Sequence, residues 1–275
     1  IRALAVAQHS VTPSFGLGYA ARRVSKDEVA DLDLSKFRSL IVGAEPIDPD
    51  HVQGFTTLLE ETGYDPTCIR PAYGLAESTL MATVSPAGNT PVAVQIDSAA
   101  LRFGAAVPIL AEVEYRGQEL GGGGWIVGLG GSTDASSVRV ADGDGEPVAE
   151  GVLGEVVVSG ESVAEGYHDE DGSAADSGGT RFLRGELWTG DAGFLHGGVL
   201  YVLGRMGSSI KVRGKSVFME DVDARVAHET GLPKHKFAAV AMQESGAAQG
   251  IVLFVEHQPG EWIDAARKVL RADLG

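Results

Sequence analysis

The chain has 275 residues, 44% of them hydrophobic and spread along its whole length, which suits two or three compact units rather than extended disorder. A formal net charge of −16 with no basic run argues against a nucleic-acid surface, so a bound anion needs helix N-termini, single arginines or a metal ion. The single cysteine, Cys68, excludes an internal disulfide and a cysteine-rich zinc site, and no apolar run approaches the ~18 residues of a membrane span.

Residues 1–95 alternate strand-like and helix-like segments, the pattern of an α/β layer. Residues 37–43 (FRSLIVG) are a short apolar run closed by Gly43, as a buried strand requires. Asp48 then reads as an N-cap with Pro49 at the first helical position. Val52, Phe55, Leu58 and Leu59 share one helical face, and Gly63 is the expected stop. A second strand is expected over residues 69–73, with Cys68 beside it read as a small buried hydrophobe rather than a nucleophile.

From about residue 92 to residue 204 glycine becomes dense and helical periodicity fades. Residues 138–140 and 155–158 flank Asp142-Gly143-Asp144-Gly145, a strong hairpin signal. Another strand is expected over 199–203, and residues 121–124 and 169–179 read as exposed loops. This middle region predicts a distorted barrel or small sheet stack.

After Arg205 the pattern resets. Strands are expected over 210–212, 237–242 and 251–256, with helices over 220–229 and 261–274, the second burying Trp262, Ala266, Val269 and Leu270. That order predicts a small α+β unit. The N-terminus, Ile1-Arg2-Ala3-Leu4, has neither a starting Met nor the basic leader of a signal peptide, so the chain reads as cut from something longer and the cytoplasm is the expected location.

Five segments carry more information together than apart. They are GAEP (Gly43, Ala44, Glu45, Pro46), YGLAES from Tyr73, GEVVVSGESVAEGY from Gly154 to Tyr167, WTGD from Trp188, and YVLGR ending at Arg205. Each alone is a common turn signal. In this order the sequence resembles the adenylate-forming superfamily of acyl- and aryl-activating ligases, over nearly its whole length. IKVRGKSVFMEDVDARV then resembles the start of that family's small mobile domain. The resemblance implies a partial large N-terminal domain (α/β layer over residues 1–95, β-rich subdomain over 96–204) and a truncated C-terminal domain over 205–275.

It also implies ATP or AMP and Mg²⁺ as cofactors, with roles that suit the residue types. GAEP is the nucleotide-side loop. Tyr73 offers a flat apolar face for adenine, and Gly74, Leu75 and Ala76 bring backbone close to the nucleotide. A buried core aromatic is the other reading of Tyr73. Glu77 is a hard oxygen ligand of the kind Mg²⁺ takes and the expected catalytic carboxylate. Asp191 is an acceptor for ribose hydroxyls, and Arg205 reaches the ribose or phosphate side. A salt bridge tying two domains is the alternative for that pair.

Two features resemble the fatty acyl-AMP ligase branch: Ala76 where many acyl-CoA ligases carry Thr, and the segment from Val94 to Leu101 with its Gly-rich sequel, similar to that branch's insertion. That branch implies a fatty acid substrate and transfer to an acyl carrier protein or a polyketide synthase carrier domain. Neither nucleic acid nor stable membrane insertion is expected. VTPSFGLG, residues 11–18, is similar to the family's acyl-pocket stretch, placing Phe15 near the substrate unless it is an ordinary core residue.

The departures are specific. The family's Ser/Thr-Gly phosphate loop is expected upstream of Ile1 and its Pro-x(4)-Gly-Lys segment beyond Gly275, so this chain alone is not expected to catalyse. At the hinge, Gly207 and Ser208 replace the usual Lys and Asp, and Met219 stands where the branch often has Pro. A small residue still serves a hinge, and Ser208 is the expected pivot. Alternative readings are an acyl-CoA ligase of the same fold, an amino-acid-selecting adenylation domain, or a catalytically impaired scaffold that keeps the fold.

Overall fold

The computed structural model describes residues 1–167, 179–212, 215–242 and 250–274. Apart from Gly179, the loop expected over 169–179 lies outside them.

The first layer holds β1 (His9–Pro13), α1 (Ser14–Arg23), β2 (Ser39–Gly43), α2 (Pro49–Leu59), β3 (Ile69–Leu75) and β4 (Leu80–Val84). β1, β2 and β3 pair in parallel and β4 returns antiparallel to β3. Asp48 caps α2 by accepting from the Asp50 amide at 3.0 Å, with Pro49 at the position where an N–H has no helical partner. Val52, Phe55, Leu58 and Leu59 are buried as their spacing predicts, and join Leu17, Phe37, Leu40, Val42 and Ile69 in one core. Each such side chain contributes about 1.5–3 kcal/mol through burial.

Two details differ from expectation. The helix ends at Leu59, before Gly63, because the Thr62 amide and hydroxyl both donate to the Leu59 carbonyl. And β1–α1 was not expected as a strand–helix unit, because Gly16 and Gly18 weaken the helical signal over SFGLGYAARR. Cys68 is buried, its thiol donating to the Phe37 carbonyl, and burial raises its pKa.

The middle region holds β5 (Val92–Ile96), β6 (Ile109–Glu114), β7 (Trp125–Val127), β8 (Gly131–Ser132), β9 (Ser137–Ala141), β10 (Gly154–Ser159), β11 (Arg181–Leu183), β12 (Glu186–His196) and β13 (Val199–Arg205). β6, β5 and β7 form one antiparallel sheet, and β8 extends the first layer beyond β4. The long strand β12 pairs with β10, β11 and β13, and β9 completes that sheet on β10. β9 and β10 are partners as the hairpin signal predicts. The Asp142–Gly145 turn, however, first returns the chain to Val140 through Val148, so β10 starts only after a further excursion. Alternate residues of β5 serve two cores, Ala93 facing the first and Val94 and Ile96 facing one with Phe194 and Tyr201.

The C-terminal residues form β14 (Ser209–Val212), β15 (Lys215–Phe218), α3 (Met219–Thr230), β16 (Phe237–Met242), β17 (Gly250–Val255) and α4 (Trp262–Leu274). α3 stops at Gly231, in the left-handed region at φ +67°. Among the described residues their core, from Ile210 through Val222 and Val226 to Ala266 and Val269, draws on none before Ile210. These residues are tied to the rest at several points. Phe218 enters the middle core, Ser98 Oγ donates to Asp221 Oδ1 at 2.7 Å, the Ser216 amide donates to the Leu101 carbonyl, and Lys234 Nζ meets Asp48 Oδ2 at 2.6 Å. The segment singled out over 94–101 therefore lies against the C-terminal residues. Among the described residues no helix is long and apolar enough to cross a membrane.

Candidate functional site

Tyr73 stands near the end of β3, and its hydroxyl donates to Asp191 Oδ2 on β12 at 2.6 Å. Its ring is partly buried against the cluster of Ala82, Val138, Val156 and Leu200, as is Leu75. Burial, then the Asp191 carboxylate, holds the Tyr73 hydroxyl protonated well above the ordinary tyrosine range. Gly74 permits the close pairing of β3 with β4, since an added Cβ would lie 2.9 Å from the Met81 α-carbon. Ala76 opens a 3-10 turn through Ser78, after which Thr79 and Leu80 both take positive φ, at 55° and 77°. Two successive non-glycine residues in that region mark a tightly constrained turn beside the site.

Asp191 and Arg205 face each other in register on β12 and β13, with Arg205 Nε 2.9 Å from Asp191 Oδ1. The pair lies on adjacent strands of one sheet. The same guanidinium donates to the Thr189 carbonyl at 2.8 Å and to Thr180 Oγ1 at 3.2 Å. Burial raises the Asp191 pKa, while Tyr73 and Arg205 oppose the rise. Around the pair, Glu155 accepts twice from Arg181 and once from the Gly190 amide, and Arg181 and Arg139 each lie over the Trp188 ring.

Glu77 lies in the 3-10 turn, and its carboxylate accepts from the Tyr167 hydroxyl at 2.5 Å. The Ala164 amide donates to the Glu77 carbonyl and Thr79 Oγ1 to the Ser162 carbonyl, so the segment ending at Tyr167 lies alongside YGLAES. Among the described residues no group of three or more His, Cys, Asp or Glu side chains is arranged to hold a metal ion. A carboxylate such as Glu77 fits an ion arriving with most of its ligands as phosphate and water oxygens.

Gly43 ends β2, and Ala44 has φ +68°. Glu45 is committed locally: its carboxylate accepts from the Phe15 amide at 2.5 Å and so caps α1, whose N-cap Pro13 has no capping side chain. Pro46 follows in the connection to α2. Phe15 is 58% exposed, with Tyr19 exposed one turn on, so the core-residue reading of Phe15 is corrected. A cap at its own amide and the helical turn direct the ring outward. Ser208 closes a 3-10 turn, Met206–Ser208, between β13 and β14.

The structure therefore brings Tyr73, Asp191 and Arg205 into one hydrogen-bonded chain, with Glu77 and Tyr167 beside it; the Glu77 carboxylate is near enough to raise the Asp191 pKa. Thr180, Thr189, Glu155 and Arg181 belong to the same network. None was singled out from the sequence, although Thr189 lies inside WTGD and Glu155 inside GEVVVSG.

Residues 2–168 match the family described as AMP-binding enzyme. The chain is 30% identical over 278 residues to a 4-hydroxyphenylalkanoate adenylyltransferase of Mycobacterium marinum, aligning 96% of itself with 43% of that protein. It is 28% identical to the long-chain-fatty-acid–AMP ligase FadD26 of the same organism, over 96% of this chain and 45% of the relative. Among solved structures, a fatty acyl-adenylate ligase from a study of the E. coli and L. pneumophila enzymes superposes with TM-score 0.73 at 27% identity, over 95% of this chain and 45% of that one. The chain spans less than half the length of these relatives.

Proposed function

This chain belongs to the AMP-binding enzyme family, and from that premise we propose that it is the nucleotide-holding part of a fatty acyl-AMP ligase. The observation that carries the reading is the Tyr73–Asp191–Arg205 chain across β3, β12 and β13. It joins an aromatic face, a carboxylate and a fixed cation within reach of one small ligand. Tyr73 is the platform for adenine, and its hydrogen bond to Asp191 fixes the ring relative to the ribose acceptor. Arg205, held by Thr189 and Thr180, faces the ribose and phosphate side. Gly43, Ala44, Glu45 and Pro46 line the approach from β2, and Phe15 borders the acyl chain.

In the reaction, a fatty-acid carboxylate oxygen attacks the α-phosphorus of ATP, the bond to the β-phosphate oxygen breaks, and pyrophosphate leaves with that electron pair. Positioning and charge neutralisation supply the rate, with no protein nucleophile. Mg²⁺ on the phosphates would neutralise charge there, and Glu77 is the residue that would hold it. The acyl adenylate then passes to the pantetheine arm of a carrier protein. Similarity to FadD26 and to the fatty acyl-adenylate ligase structure supports adenylate formation, and the coenzyme A test below separates this branch from an acyl-CoA ligase. The same proposal divides the chain near residues 95 and 204, with Ser208 as the hinge; support for the second boundary is the self-contained core beyond Ile210.

Two measurements test it. Calorimetry with AMP on this chain should show binding that Asp191→Ala weakens about tenfold or more. No binding, or equal binding by the variant, sinks the nucleotide reading. The natural polypeptide, given labelled ATP, Mg²⁺ and a panel of fatty acids with and without coenzyme A, should accumulate acyl-AMP. Conversion to acyl-CoA would assign it to the coenzyme A class, and no adenylate at all would favour the scaffold reading.

A further inference from the structure

We propose that Glu220, in the first turn of α3, is a positioning residue for Arg205, reaching from the C-terminal unit to seat the end of β13; the functional part of this rests on the nucleotide reading above. Three observations converge on it. The Arg205 amide donates to Glu220 Oε1 at 3.4 Å. Gly204 takes φ +152°, and a Cβ there would lie 2.6 Å from Glu220 Cδ, so the bare α-carbon is what makes room for the carboxyl. Glu220 Oε2 is buried without a hydrogen-bond partner among the described residues, an arrangement that costs stability and persists only where surrounding contacts hold it.

Arg205 is consequently gripped from two directions. Its guanidinium is held from the site by Asp191, Thr189 and Thr180, and its main chain from behind by Glu220. Glu220 belongs to the unit with its own core, so the docking of that unit is felt directly at the arginine assigned to the nucleotide. A long hydrogen bond to a main-chain amide sets the Gly204–Arg205 step rather than adding much affinity of its own. Asp191 thus meets the guanidinium and Glu220 the main chain of the same arginine, and burial raises the pKa of each carboxyl. Asp223, on the same helix, adds a third acidic group coupled to Glu220. Removing the charge at Glu220 while keeping an acceptor therefore preserves the seat.

The test compares Glu220→Gln with Glu220→Ala in the full chain, reading AMP affinity by calorimetry and the Arg205 amide exchange rate by NMR. Glu220→Gln should bind AMP within about twofold of wild type, because the carboxamide oxygen still accepts the amide. Glu220→Ala should bind about threefold to tenfold more weakly and exchange the Arg205 amide faster by a similar factor. Equal behaviour of the alanine variant and wild type in both readouts would overturn the proposal, as would a glutamine variant as impaired as alanine. Should the chain bind no AMP, the nucleotide reading fails separately. The exchange rate then decides: faster in alanine than in glutamine supports the seat, and no difference refutes it.

Discussion

The hydroxyl of Tyr73 and the carboxylate of Asp191, 118 positions apart in sequence, meet at 2.6 Å and thereby join the first layer to the long strand β12. The bond fills one lone pair of a carboxylate whose side chain is only 13% exposed. Its removal cannot be made good by bulk water.

Tyr73→Phe should accordingly destabilise the chain by about 1–2 kcal/mol, the usual cost of a hydrogen bond to a largely buried charged group. Urea unfolding at neutral pH reads this directly. The variant should also push the Asp191 pKa further upward, since Tyr73 is the largest influence lowering it.

Glu77→Gln separates metal from nucleotide. AMP affinity without Mg²⁺ should stay within about twofold of wild type, while affinity for Mg·ATP should fall about tenfold. Calorimetry with and without Mg²⁺ supplies both numbers. Equal losses under the two conditions would place Glu77 on the nucleotide itself.

Asp223 gives a pH signature. Burial raises its pKa from 3.8 to about 6, against the Ala239 amide that donates to it at 2.7 Å. Between those values the folded state binds more protons than the unfolded one, so this carboxyl's contribution is fully present below about pH 4 and lost as pH rises through about 6. Asp223→Asn keeps an acceptor for Ala239 and removes the charge. It should be more stable than wild type at pH 8 by about 1–2 kcal/mol after allowance for solvent screening, and no more stable near pH 4. Denaturant unfolding across that range checks it.

The Lys234–Asp48 contact ties the C-terminal residues to the start of α2. Lys234→Met should cost about 0.5–1 kcal/mol at low salt and almost nothing near 1 M. Asp48→Asn should match it, because Asn caps a helix as well as Asp does, whereas Asp48→Ala should cost roughly 1 kcal/mol more. Thermal unfolding at two salt concentrations distinguishes the three.

How far the sequence could be read depended on how local the determining interactions were. α2 was legible because its cap, its first-turn proline and its buried face all lie within a dozen residues. β16 and β17 were legible because six-residue apolar runs leave few other choices. α1 was not, since its two glycines argue against a helix and its cap comes from Glu45, 30 residues downstream. The site residues Tyr73, Glu77, Asp191 and Arg205 were nameable through the resemblance, but not their connection. The hydrogen bond from Tyr73 to Asp191, and that of Tyr167 to Glu77, span 118 and 90 positions and leave no spacing to detect. Glu220 escaped notice for the opposite reason: an acidic residue in the first turn of a helix is so ordinary that only the bare α-carbon of Gly204 against it sets it apart.

The carboxylate of Glu45 ends one helix and belongs to the most compact motif in the chain. Without that glutamate α1 would start with bare amides, whatever became of the chemistry. GAEP therefore carries a folding role beside the nucleotide role proposed for it. A search for working members of this lineage is better filtered on Asp191 with Arg205, whose half-buried charges cost stability and would drift away once no ligand repaid them.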